Sequence, residues 1–149
     1  MKDLAYNKRA HFDYHVLETF EAGLQLLGTE VKSVRAGHMS FRGAFVTLRG
    51  EEVFLTNATI PPWQVKNTPA DYDPTRPRKL LLKSAEIKAL LGTRKGEGLT
   101  MIPIRAYNKR GMIKLEIGLA RGKKQYSKKE AKKTRDIKRD IDRMLRGKE

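Results

Sequence analysis

No cysteine occurs in this sequence, which excludes disulfide scaffolds, thiolate zinc sites and cysteine nucleophiles and suits a reducing cytosol. Aromatic residues are sparse, at 7% with a single tryptophan. No apolar run approaches the roughly 20 residues that a helix needs to cross a bilayer. The opening stretch MKDLAYNKRAHFDYH lacks the apolar centre of a secretory signal. A cytoplasmic location is expected. Negative charge is also short, because 17 Asp and Glu stand against 32 Lys and Arg, a net charge of +15. With a pI near 10.2, the expected partner is a polyanion, either nucleic acid or an anionic membrane surface. The chain of 149 residues is long enough for one domain with its own core.

What is present reads mainly as short strands. FDYHVLETFEAGLQLL, from Phe12 to Leu27, mixes β-branched, aromatic and aliphatic residues and predicts one long bent strand over most of its length, with a bulge at Gly23. GTEVKSVRAG predicts a short helix with Thr29 as N-cap and Gly37 as its stop. Val31 and Val34 would face inward, and Lys32 and Arg35 outward. Apolar stretches at residues 45–48 and 53–55, separated by RGEE, predict a hairpin. The proline-punctuated stretch PPWQVKNTPADYDPTRPRK predicts an extended surface loop, of a length more often functional than idle. A second helix is expected from Ser84 to Leu91. MIKLEIGL then alternates apolar and polar residues as a half-buried strand does, with LTMIPIRAY as its partner and NKRG as the turn between them.

This order argues for a mainly β fold of five or six strands. The leading candidate is a small antiparallel barrel of the oligonucleotide-binding type, carrying two or three short helices. The barrel is assigned to residues 1–120 and a basic tail to residues 121–149. The tail holds 13 Lys and Arg against five Asp and Glu. Ser127 and Glu130 match a capping box, and Ile137, Ile141, Met144 and Leu145 share one helical face. That face is narrow and like charges crowd the rest, so the tail is expected to be disordered alone and helical when bound.

Catalytic patterns are missing. His11, His15 and His38 show no metal-binding spacing on a helix, and no metal site or cofactor is expected. In GTRKGEG the glycines follow a helix instead of opening one, so a turn explains them better than a phosphate loop. Asp71 and Asp73 in a proline-rich loop suit turn capping better than acid–base work. No serine sits in a nucleophile elbow, and no enzymatic activity is expected.

Nucleic-acid binding has more support. Basic clusters recur at Lys8 and Arg9, at Lys32 and Arg35, at Arg76, Arg78 and Lys79, at Lys109 and Arg110, and through the tail. Tyr6, Phe12, Tyr14, Tyr72 and Tyr107 stand near them. Aromatics beside cations suit stacking on unpaired bases while the cations meet phosphates. Any single cluster is better read as an ordinary solvated face with core aromatics beside it; the recurrence of five favours RNA. Contact with about five phosphates would give log K against log salt a slope of roughly −3.5 to −4.5.

Four strings, NKRA at residues 7–10, FEAGLQLLGTEVKSVRAG at 20–37, DPTRPRKLLL at 73–82 and IGLARGKKQ at 117–125, closely resemble the small protein B family. These are the SsrA-binding proteins of bacterial trans-translation. The resemblance implies an oligonucleotide-binding-type barrel that holds the tRNA-like domain of transfer-messenger RNA (tmRNA) and delivers it to stalled ribosomes. It also implies that the protein performs no chemistry itself. Asn7, Glu21 and Leu80 fall where the family has residues tied to RNA binding, and Lys8, Arg9, Lys32, Arg35, Arg78 and Lys79 complete the expected RNA-contacting set. A monomer in a 1:1 complex with the RNA is expected.

The family resemblance also implies that the tail becomes helical in the vacant mRNA channel of the small subunit. Lys123, Lys124, Tyr126, Lys128, Lys129, Ile137, Met144 and Leu145 are its expected ribosome-contacting residues. Two departures stand out. Tyr126, Ser127, Lys128 and Lys129 occupy a position where many relatives have His-Asp-Lys-Arg, and Ile137 stands where relatives have tryptophan. The competing readings are a ribosomal or general RNA-binding protein and, with less support, a basic membrane-surface protein; the tail's narrow apolar face without Trp or Phe argues against the last.

Overall fold

The computed structural model describes residues 3–94 and 98–123. Seven strands form one antiparallel sheet. They are β1 (Asp3–Tyr6), β2 (Tyr14–Leu24), β3 (Phe45–Arg49), β4 (Glu52–Thr56), β5 (Arg78–Leu81), β6 (Leu99–Lys109) and β7 (Met112–Gly122), in the spatial order β1-β6-β7-β2-β5-β4-β3. The far edge strand β3 curls back against β6, which gives the sheet the curvature of a small barrel. Among the described residues three α-helices accompany it: α1 (Ala10–Asp13), α2 (Gly28–Arg35) and α3 (Ser84–Arg94).

The β6–β7 hairpin is the backbone of the fold. Lys109 pairs with Met112, leaving Arg110 and Gly111 as a two-residue turn with φ of 52° and 76°. Positive φ at both positions matches the twist of the flanking strands. The alternation seen in the sequence holds, since Ile113, Leu115, Ile117 and Leu119 are all buried. They join Phe20, Leu24, Val53, Leu55, Ile60 and Leu80 in the principal core. Each such side chain contributes roughly 1.5–3 kcal/mol by leaving water. A smaller cluster of Ala10, Ile102, Ile104 and Ala120 lies under α1.

Most of the segment from Phe12 to Leu27 is one long strand, β2, as expected. Its first residues close the single turn of α1, and β2 begins at Tyr14. The bulge in β2 falls between Val16 and Glu18, whereas Gly23 stays in register with both Leu81 and Lys114. Helix α2 starts at Gly28, with Leu27 at its N-cap in place of Thr29; the Glu30 carboxylate accepts the Leu27 N–H at 2.9 Å. It stops as expected at Gly37, whose φ of 83° lets its N–H and that of His38 return to the Val34 and Ser33 carbonyls.

The proline-rich segment does not cross the surface in an extended path. It folds back on itself, closed by the Ile60 N–H on the Pro74 carbonyl at 2.9 Å and by the Tyr72 hydroxyl on the Ile60 carbonyl at 2.8 Å. One 3₁₀ turn, Val65–Asn67, lies within it. Strand β7 runs through Gly122, beyond the boundary expected at residue 120. Lys123 then donates its N–H to the Asp13 carbonyl at 2.9 Å. Among the described residues no helix is long and apolar enough to cross a membrane.

Candidate nucleic-acid interface

The turn between β1 and α1 carries the first group. Asn7 donates Nδ2–H to the Pro103 carbonyl at 2.8 Å, and its Oδ1 accepts the Arg9 N–H at 3.2 Å. Its own N–H bonds the Ile104 carbonyl at 2.7 Å. Asn7 therefore pins the turn to β6 and leaves Lys8 and Arg9 exposed beside it. Arg9 pairs with Asp13 at 3.1 Å and lies 4.9 Å from the Phe12 ring centroid.

Glu21 sits on β2 directly opposite Glu116 of β7. Two carboxylates so placed repel unless cations intervene. Here β6 supplies them. The Tyr107 hydroxyl donates to Glu21, and Lys109 Nζ lies 3.2 Å from both of its oxygens. Arg105 reaches Asp3 at 2.8 Å and Glu116 at 3.5 Å while stacking 4.3 Å from the Tyr107 ring centroid. The hydrogen bonds from Tyr107 and Lys109 hold the Glu21 carboxyl below its ordinary value. Burial, reinforced by Glu21, pushes the Tyr107 hydroxyl up. Glu21 is thus a fixed, ionised acceptor at a partly open site.

A third group is buried. Glu30 on α2 receives both Arg76 and Arg78; Arg78 approaches from Nε at 3.0 Å and Nη2 at 2.5 Å. The Tyr72 hydroxyl also lies 3.0 Å from the same carboxylate, its one proton shared between Glu30 and the Ile60 carbonyl. Arg78 also reaches the Ala58 carbonyl at 2.7 Å and the Pro74 carbonyl at 3.0 Å. Burial alone would raise the Glu30 carboxyl, but hydrogen bonds from Arg76, the Leu27 N–H and Arg78 outweigh it and hold the group at about 2.

Arg78 was expected among the RNA-contacting cations, and its position corrects that expectation. Its side chain is 0% exposed, because a guanidinium with several donors can be satisfied inside when a carboxylate and carbonyls converge on it. Leu80 is likewise a core residue at 2% exposure, in register with Val53 and Leu24. Neither side chain is open to a ligand. Lys79 is half-buried and pairs with Glu52 at 3.5 Å. Lys32 and Arg35 are exposed on α2, and Arg35 donates to the Gly111 carbonyl at 2.8 Å, tying α2 to the β6–β7 turn.

The predicted residues thus occupy separate groups on the β1–α1 turn, β2, α2 and β5. Lys123 Nζ donates to the His11 carbonyl at 3.0 Å. Lys124, Tyr126, Lys128, Lys129, Ile137, Met144 and Leu145 lie outside the described residues. Asp73 caps a turn, its Oδ1 accepting the Thr75 N–H and hydroxyl at 2.9 Å each. Sequence reasoning missed the bond between Tyr107 and Glu21, which are 86 residues apart and meet only through strand register. It missed Glu30 for the same reason.

A family model described as "SmpB protein" matches residues 4–147. The chain belongs to the SmpB family. It is 48% identical over 145 residues to an SsrA-binding protein of Acaryochloris marina, covering 97% of this chain and 94% of that one. An SsrA-binding protein of Thermosipho africanus is 47% identical over 147 residues, with 98% of each chain covered. A solved structure described as "tmRNA-SmpB: a journey to the center of the bacterial ribosome" superposes with a TM-score of 0.66 at 46% identity. It covers 85% of this chain and 92% of that one. SmpB relatives therefore share both the sequence and the barrel.

Proposed function

We propose that this chain is an RNA-binding adaptor of trans-translation, holding the tRNA-like domain of tmRNA and bringing it to stalled ribosomes. The observation that carries this is the SmpB family match across residues 4–147, supported by relatives named SsrA-binding protein over nearly their full length. The barrel, residues 3–123, supplies the RNA-binding body. The tail, with 13 cations among its 29 residues, binds rRNA phosphates in an empty mRNA channel and folds as it does so. The protein acts in the cytoplasm as a monomer bound 1:1 to its RNA and breaks no bonds itself. Lys8, Arg9, Lys32 and Arg35 make phosphate contacts, while Asn7 and Glu21 fix the surfaces that present them.

Competition binding at matched salt tests this reading. The tRNA-like domain of tmRNA should displace a labelled copy of itself far more effectively than an elongator tRNA or an unrelated RNA duplex does. Equal competition by all three would reduce the protein to a general RNA binder.

A further inference from the structure

The proline-rich segment that folds back between β4 and β5 differs in charge from the chain as a whole. On a chain of net charge +15, residues 61–75 hold one cation, Lys66, against two carboxylates, Asp71 and Asp73. The cation that follows them, Arg76, is engaged with Glu30. Both carboxylates are exposed, and among the described residues Asp71 has no hydrogen bond or ion pair.

The same segment is openly apolar. Val65 is 80% exposed, more than any other large apolar side chain among the described residues, and Trp63 is 41% exposed with its ring stacked on His38. Pro62, Val65, Pro69, Ala70, Tyr72 and Pro74 border a hollow of about 310 Å³ that no charged side chain lines. Its walls are held in place before any partner arrives. Thr68 donates its hydroxyl to the Gln64 carbonyl at 2.6 Å, and the Tyr72 N–H bonds the Pro69 carbonyl at 3.0 Å. Pro61, Pro62, Pro69 and Pro74 restrict the backbone further, so docking here loses little conformational freedom.

A rigid apolar patch left open on a monomer marks a docking surface. RNA fits this one poorly, because a base stacked here would bring its phosphates to a segment with more carboxylates than cations. A protein segment that carries an apolar side chain between Lys or Arg residues fits both features: the apolar group enters the hollow and the cations meet Asp71 and Asp73. Proteins packed against rRNA are rich in such cations. We propose that the proline-rich lobe docks a basic protein segment of this kind, supplied by a protein of the stalled ribosome and not by its rRNA. The proposal rests on the adaptor reading above and adds a protein contact to it, with Trp63, Val65 and Asp71 as contact residues.

The test uses the full chain bound to tmRNA, with purified stalled ribosomes. Val65→Ser should lower the affinity of the complex for the ribosome about tenfold, as loss of an anchoring apolar side chain does. Asp71→Lys should lower it about threefold, because the new cation repels the basic segment. Both variants should keep the parent affinity for the isolated tRNA-like domain. A benzophenone photocrosslinker in place of Lys66 should join to a ribosomal protein within a Lys- or Arg-rich segment, read by mass spectrometry. Lys88→Gln, on exposed α3 surface, is the control and should change nothing. Parent-like ribosome affinity in Val65→Ser, tighter binding in Asp71→Lys, or crosslinks that are absent or confined to RNA would overturn the docking site while leaving the adaptor reading intact. Failure of the parent protein to prefer the tRNA-like domain over unrelated RNA would overturn both.

Discussion

Glu30 and Arg78, 48 residues apart in the chain, form an ion pair from which both side chains are shut away from solvent, at 1% and 0% exposure. With Arg76 and Tyr72 they fasten the folded-back proline-rich segment to α2. A pair this deeply buried is costly to break from one side, because the remaining charge has neither water nor a partner.

Glu30→Gln should therefore destabilise the barrel by about 3–5 kcal/mol, read as a lower urea midpoint with an unchanged slope. Arg76→Gln should cost much less, since the Arg76 side chain keeps 31% of its surface in solvent. If the two variants proved equally stable, the burial of Glu30 would not govern the fold.

Acid should expose the same pair. Glu30 titrates at about 2 in the folded protein against an ordinary 4.5. The stability that this depression provides is complete above pH 4.5 and is lost as pH falls from there towards 2. Its size is on the order of 3 kcal/mol. Urea midpoints measured from pH 6 down to pH 2.5 should fall steeply in this window for the parent and more shallowly for Glu30→Gln. Parallel curves would place the acid sensitivity elsewhere.

The carboxylate of Glu21 should matter to RNA, not to folding. Glu21→Lys should weaken binding of the tRNA-like domain without lowering the melting temperature, because the site is open at the surface of the sheet. Tyr107→Phe, which removes the hydroxyl that holds Glu21, should lower affinity about two- to tenfold. A lowered melting temperature with unchanged affinity in Glu21→Lys would make it a plain structural charge.

Truncation after Lys123 should separate two activities. The cut preserves the bonds from Lys123 to Asp13 and His11, so affinity for the tRNA-like domain should stay within about threefold of the parent at fixed salt. Tagging of nascent chains on stalled ribosomes in a reconstituted system should be abolished. Equal loss of both would show that the tail belongs to the RNA-binding surface.

The parts of this fold that declared themselves in the sequence are those governed by local rules. The β6–β7 hairpin was readable because alternation and the turn residues Arg110 and Gly111 agree, and the stop of α2 was readable in Gly37. Strands β1 and β5 were not. Each has four residues, too few for a period, and β5 emerges from a proline-rich stretch and exists because β2 and β4 flank it. The same distinction separates the site residues. Lys8, Arg9, Lys32 and Arg35 are exposed as their charge suggests. Arg78 has the same chemistry and faces inward, because only the tertiary arrangement places Glu30, Ala58 and Pro74 around it. Tyr107 and Glu21 were each visible as residues, but their bond depends on the alignment of β2, β7 and β6.

The Asn7 side chain closes its hydrogen bond on Pro103, 96 residues later in the chain. During synthesis the β1–α1 turn emerges early and has nothing to hold it until β6 follows. On the proposed site, the wall that presents Lys8 and Arg9 is completed only once β6 is present, so a nascent chain that stops short of β6 is expected not to bind the RNA there. On that reading the adaptor is withheld from its RNA until its chain has been made through β6, which ends at Lys109.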